Sequence, residues 1–183
     1  MIVVSGLERS GTSLMMQILE DAGYDVCYDD SRKPDIHNPK GYYELYDGKI
    51  ILELMENRFD PTKYNGKVIK ITSYGIDMLD PEEHKFIYMT RDIKEVYESQ
   101  KKMMNNSYRV SIPYMDEIRL LEKMNERAIG YLKDNNSDYI IINFNSLINA
   151  PREELDTLSK FLGKDIRKSL RVIDKKLYRN RRN

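Results

Sequence analysis

MIVVSGLERSGTSLMMQIL, residues 1–19, carries the pattern from which the rest of the chain can be read. Ile2 to Ser5 is a short, mostly β-branched run suited to a buried strand. GLERSGTS (6–13) follows as a turn, and apolar residues then recur at helical spacing: Leu14, Met15, Ile18, Leu19 and Ala22. Gly23 stops that helix. A glycine-rich turn that opens a helix gathers backbone N–H groups and the positive helix end around an anion. Ser10, Thr12 and Ser13 add hydroxyl donors to this loop, Gly11 frees its backbone, and Arg9 adds a fixed positive charge.

Outward from the loop, strands and helices alternate. KVIKIT (67–72), KFIYMT (85–90) and DYIIINF (138–144) read as strands. Residues 43–57 read as a helix, Asp92 caps another that runs to about Met104, and a long amphipathic helix covers about 114–134. Pro151 opens a last helix, which ends at Gly163. Continuous apolar strands alternating with helices predict an α/β fold with a mainly parallel sheet covered on both faces. In such a sheet, ligands bind beyond the carboxyl ends of the strands, the edge to which the loop belongs. Residues 24–41 are polar, with Pro34, Pro39 and Gly41, and form a long loop of the kind that is functional or mobile.

With 183 residues the chain is expected to form one domain, residues 1–183, with a basic tail at 174–183. Thirty Lys and Arg balance thirty Asp and Glu, which excludes a global field for nucleic acid or membrane and makes any anion site local. No run approaches the roughly 20 apolar residues of a membrane span. Cys27 is the single cysteine, a small apolar residue rather than a reactive thiol, and no internal disulfide can form. These features predict a soluble, cytoplasmic protein.

The loop departs from that of a nucleotide triphosphatase at one position, because Thr12 stands where the lysine would be. That lysine and magnesium offset charge on the β- and γ-phosphates. A sulfuryl group carries one negative charge fewer than a terminal phosphoryl group. Side-chain cations and N–H donors can therefore serve it without a metal. The loop suits a phosphosulfate better than a triphosphate.

GLERSGTSLMMQIL resembles the 5′-phosphosulfate loop of sulfotransferases that use 3′-phosphoadenosine 5′-phosphosulfate (PAPS), most closely the Arg-Ser-Gly-Thr form of the tyrosylprotein and bacterial carbohydrate branches. FIYMTRDIKEVYESQKKM (86–103) is similar to the family's 3′-phosphate motif, with Arg91 ending a strand and Ser99 eight positions on. YIIINFNSLINAPREELDTLSKFLG (139–163) resembles a third family segment. The resemblance implies a P-loop NTPase-like three-layer fold and PAPS as co-substrate with no metal. It implies transfer of a sulfuryl group to a hydroxyl or amine of a small-molecule, carbohydrate or peptide acceptor. It assigns the phosphosulfate to Arg9, Ser10, Gly11, Thr12 and Ser13, and the 3′-phosphate to Arg91 and Ser99. Spacing alone does not bring Arg91 and Ser99 together, since eight helical residues span about 12 Å.

Arg9 is expected to stabilise the leaving phosphate, and Lys70 resembles the lysine that assists the departing oxygen. The histidine base of the cytosolic branch is replaced here by Thr72. Three other groups stand as candidate bases: Asp30 in VCYDD (26–30), which falls where the tyrosylprotein branch has its glutamate, and Glu44 and His37 in HNPKGYYE (37–44). The tail DKKLYRNRRN (174–183) is either solvated or folded back towards the 3′-phosphate. Residues 24–42 and 103–115 are the segments left to bind an acceptor. Two other readings stay open: a nucleotide or nucleoside kinase on the same fold, and a binding module that keeps the loop without turnover.

Overall fold

A computed structural model describes residues 1–29, 31–103 and 112–178. Four strands, β1 (Ile2–Gly6), β2 (Val68–Lys70), β3 (Lys85–Thr90) and β4 (Asp138–Asn143), form one parallel sheet in the order β2-β1-β3-β4. Six α-helices accompany them among the described residues: α1 (Thr12–Asp21), α2 (Ile50–Met55), α3 (Ile93–Met103), α4 (Tyr114–Asp134), α5 (Phe144–Asn149) and α6 (Pro151–Leu162).

Successive strand residues point to opposite faces, and both faces are apolar here. Val4, Val68, Ile87, Met89 and Ile142 pack with Met15, Met16, Ile18 and Leu19 of α1, Leu147 and Ile148 of α5, and Leu155 and Leu158 of α6. Val3, Ile69, Ile71, Phe86 and Tyr88 face the other way, onto Ile50 and Leu54 of α2 and Ala128 and Leu132 of α4. The result is the helix–sheet–helix layering that the alternating pattern predicts. None of the described helices is long and apolar enough to cross a membrane.

Register brings the carboxyl ends into one line. Val4 pairs with Lys70, Gly6 with Met89, and Thr90 with Asn143, so the loop after β1, the end of β2, the β3–α3 corner and the start of α5 share one edge. The helices expected at 114–134 and from Pro151 fall as read, and Gly163 closes α6 with φ 64°. Asp92 caps α3, its carboxylate accepting the Glu95 N–H at 3.1 Å.

Two elements differ from expectation. The helix expected over 43–57 is confined to a short turn at Tyr46–Gly48 and to α2. Tyr43, Tyr46 and Asp47 hold φ of 56°, 57° and 55°, left-handed values that interrupt a right-handed helix. The strand expected to include Phe144 ends one residue earlier. The Asn143 side chain accepts the Ser146 N–H at 3.0 Å and starts α5 there. Cys27 is half-buried, and burial raises its thiol above the usual range, as expected of an unreactive cysteine.

Candidate active site

The turn between β1 and α1 is built around two glycines. Gly6 has φ 147°, and a Cβ there would lie 2.4 Å from the Met89 carbonyl oxygen and 2.5 Å from Ser10 Oγ. Gly11, the N-cap of α1, has φ 103°, and a Cβ there would meet the Phe144 ring at 2.4 Å. Between them Arg9 holds φ 72°, a left-handed conformation of the kind stored at ligand sites. Helix α1 has neither a side-chain N-cap nor an acidic residue in its first turn, so no group of its own first turn neutralises its positive end.

The loop opens on a cleft of about 970 Å³, mouth included. Arg9, Gly11, Thr12 and Ser13 line it from the loop, Lys70 from β2, Arg91 from the end of β3, and His37, Tyr42 and Glu44 from the long 24–45 segment. Two expected site residues do not line it. Ser10 is 1% exposed, and its hydroxyl lies under the loop with no hydrogen-bond partner among the described residues. Ser99 is 2% exposed and meets the site through another side chain, accepting a hydrogen bond from Arg9 Nε at 2.9 Å. Asp30 lies outside the described residues, as do 104–111 of the acceptor segment and Arg179, Arg181 and Arg182 of the tail.

Arg9 joins the parts. Its Nη2 donates to the His37 carbonyl at 2.9 Å, and its own carbonyl accepts from Arg91 Nη1 at 3.1 Å. Arg91 and Ser99 therefore converge on Arg9 despite their separation along α3. The long segment folds over the loop: Asn38 donates to Ser13 Oγ at 3.1 Å, and Ser13 to the Tyr42 carbonyl at 3.2 Å.

At the β2 end, Lys70 Nζ donates to the Tyr42 carbonyl and to Glu44 Oε1, the latter at 3.2 Å. Burial pushes its ammonium below the usual lysine range, against the opposing pull of Glu44. A lysine so placed is a readier proton donor to an oxygen that gains charge. Glu44 is shared with Arg32, whose Nη1 lies 2.9 Å from Oε2 and whose guanidinium sits 3.6 Å from the Tyr42 ring centroid. Of the candidate bases, Glu44 has its carboxylate in the cleft beside Lys70, whereas His37 is held by its backbone, its carbonyl to Arg9 and its N–H to Asp35.

At the β3 end, Arg91 Nε meets Glu95 Oε2 at 3.0 Å, with the two side chains 7% and 5% exposed. Asn145 Nδ2 donates to the same oxygen at 3.1 Å, and Tyr178 donates to both carboxylate oxygens at 2.7 and 2.9 Å. Phe144 and Tyr178 meet edge to face, with Arg91 over both rings at 4.7 and 5.4 Å. The tail thus folds back as far as Tyr178. Glu95 had a sequence signal, since it stands four residues after Arg91 in the first turn of the helix that Asp92 caps. Asn145 and Tyr178 had none, because Glu95 lies 50 and 83 residues away, and Arg32 and Tyr42 had none, because they meet across an irregular loop with no fixed spacing.

Backbone amides, hydroxyls and two guanidiniums around a glycine cradle make a receptor for an oxyanion diester or phosphosulfate. Over residues 1–181 the chain matches the model of the family described as "Sulfotransferase domain". The chain belongs to the sulfotransferase family. Its three-layer fold is similar to the solved structure of a retinol dehydratase in complex with androsterone and the inactive cofactor PAP. The TM-score is 0.52 at 14% sequence identity, over 98% of this chain and 65% of that one. At that identity the likeness concerns the fold, and this sulfotransferase-family chain spans about two thirds of the other's length. No curated protein sequence matches it significantly.

Proposed function

We propose that this single-domain protein is a cytoplasmic sulfotransferase that moves a sulfuryl group from PAPS to a hydroxyl or amine of a small-molecule, carbohydrate or peptide acceptor, in line and without a metal. One observation carries the reading: a loop whose glycines leave no room for a Cβ opens on the same cleft as Arg9, Lys70, Glu44 and Arg91. The donor set fits the co-substrate, with a cation at Arg9 and hydroxyls at Thr12 and Ser13 where a triphosphatase would have its lysine and magnesium-binding hydroxyl.

When bound, PAPS supplies the sulfuryl group and departs as 3′-phosphoadenosine 5′-phosphate. Gly11, Thr12 and Ser13 hold the phosphosulfate with the helix end, and Arg9 offsets charge on the leaving phosphate. Arg91 takes the 3′-phosphate, with Ser99 acting through Arg9 or directly once Arg9 turns to the nucleotide. Lys70 donates to the departing oxygen. Glu44 accepts the acceptor's proton, with Asp30 and His37 the alternatives. Ser10 supports the loop from beneath.

Radiolabelled transfer from PAPS to a panel of acceptors tests the reading. Arg9→Ala is expected to lower transfer by about 10³-fold. Normal transfer by Arg9→Ala would remove Arg9 from the mechanism, and nucleotide binding without transfer to any acceptor would identify a binding module.

A further inference from the structure

Tyr178 reaches the β3 end of the cleft from 83 residues beyond Glu95 and contributes no charge of its own. Its phenol sits at the centre of a closed polar cluster. The oxygen accepts from Asn145 Nδ2 at 2.6 Å and donates to both oxygens of Glu95. Asn145 is itself fixed, because its side-chain carbonyl accepts the Asp92 N–H at 3.1 Å. Burial, and then the hydrogen bond to Glu95, raises the phenol above the ordinary tyrosine range, so it remains a donor at neutral pH.

The carboxylate of Glu95 is the competitor of any anion that Arg91 could bind. A buried carboxylate with unmet lone pairs draws the nearest guanidinium fully onto itself, in the two-pronged geometry that arginine favours. Here Tyr178 and Asn145 satisfy much of Glu95, and the ring of Tyr178 lies 5.4 Å from the guanidinium. Glu95 then holds Arg91 through Nε at 3.0 Å, while Nη1 lies on the Arg9 carbonyl of the phosphate loop. One arm of the guanidinium is thus kept on the helix and another on the phosphate loop, at the wall of the cleft.

We infer that Tyr178 is a positioning residue for Arg91: by saturating the Glu95 carboxylate it leaves the Arg91 guanidinium directed at the loop, where it recognises a second phosphate on the nucleotide. The inference rests on the proposed PAPS reading and deepens it by making the 3′-phosphate selectivity depend on the carboxy-terminal segment.

Calorimetry of the full chain with adenosine 3′,5′-bisphosphate and with adenosine 5′-monophosphate separates the two ideas. The wild type is expected to prefer the bisphosphate. Tyr178→Phe keeps the ring and removes the donor. It should weaken bisphosphate binding about tenfold and monophosphate binding by less than about twofold. Asn145→Ala, which removes a second neutral donor to Glu95, should move the same ratio in the same direction, so the test does not hang on one variant folding. Equal losses for both nucleotides, or an unchanged ratio in both variants, would overturn the inference while leaving the PAPS reading in place. A wild type without preference for the bisphosphate would overturn the reading and the inference together.

Discussion

At one end of the cleft Arg91 and Glu95 meet at 3.0 Å with side chains 7% and 5% exposed, and three elements supply partners: the β3–α3 corner, α5 and the tail. At the other end Lys70 and Glu44 meet at 3.2 Å, but Glu44 also serves Arg32, whose side chain is 39% exposed, on a segment with little regular structure. Both ends bury a cation beside a carboxylate. They differ in what surrounds the carboxylate. Glu95 meets Arg91 and also the neutral donors Asn145 and Tyr178. Glu44 stands between two cations, Lys70 and Arg32. In the proposed function the first end belongs to the nucleotide and the second to the chemistry.

Arg91→Ala should produce the largest effect on stability. It leaves Glu95 buried without its counter-charge, and a loss of about 3 kcal/mol in urea denaturation is expected. A loss below about 1 kcal/mol would show that the neutral donors suffice and would erase the contrast.

Lys70→Met sharpens the comparison from the other side. Because Glu44 keeps Arg32 as a partner, replacing the desolvated ammonium by an apolar side chain of similar length should leave stability within about 1 kcal/mol while lowering sulfuryl transfer about 100-fold. The same variant carries a pH signature. Burial lowers the folded-state pKa of Lys70 below the ordinary 10.5. Between those two values the unfolded chain binds the additional proton, so wild-type stability should rise as pH climbs through that window towards 10.5. In Lys70→Met that rise should be absent, which denaturation midpoints across alkaline pH will reveal.

Arg32→Ala should have the smallest effect. Its partly exposed pair with Glu44 is expected to contribute under about 1 kcal/mol, because solvent screens it and Lys70 remains beside the carboxylate. If Arg32→Ala matched Arg91→Ala in denaturation, the partly exposed pair would contribute as much as the buried one and the contrast would fail.

The loop, the sheet and its layering were legible from local pattern alone. IVVS, GLERSGTS and the apolar spacing of α1 are contiguous, and contiguous residues express their preferences without help from the rest of the chain. Helix α4 fell at its expected bounds for the same reason, since its periodicity extends over 21 residues. The 43–57 segment did not, because left-handed residues at Tyr43, Tyr46 and Asp47 are set by contacts that its helical composition does not reveal. One such contact is the Asp47 N–H donated to Asp29 at 3.1 Å.

Sequence by itself determined the strand–loop–helix receptor, the absence of the triphosphatase lysine and the alternation that builds a parallel sheet, because each depends on residues adjacent in the chain. Tertiary structure alone decided which charges meet. Strand register carried Lys70 and Arg91 to one edge, chain return brought Glu44 and Tyr178 onto them, and Arg9 linked Ser99 to the loop. Electrostatic partnership depends on distance in space and on the water excluded around it, and neither quantity is encoded in any short stretch of residues.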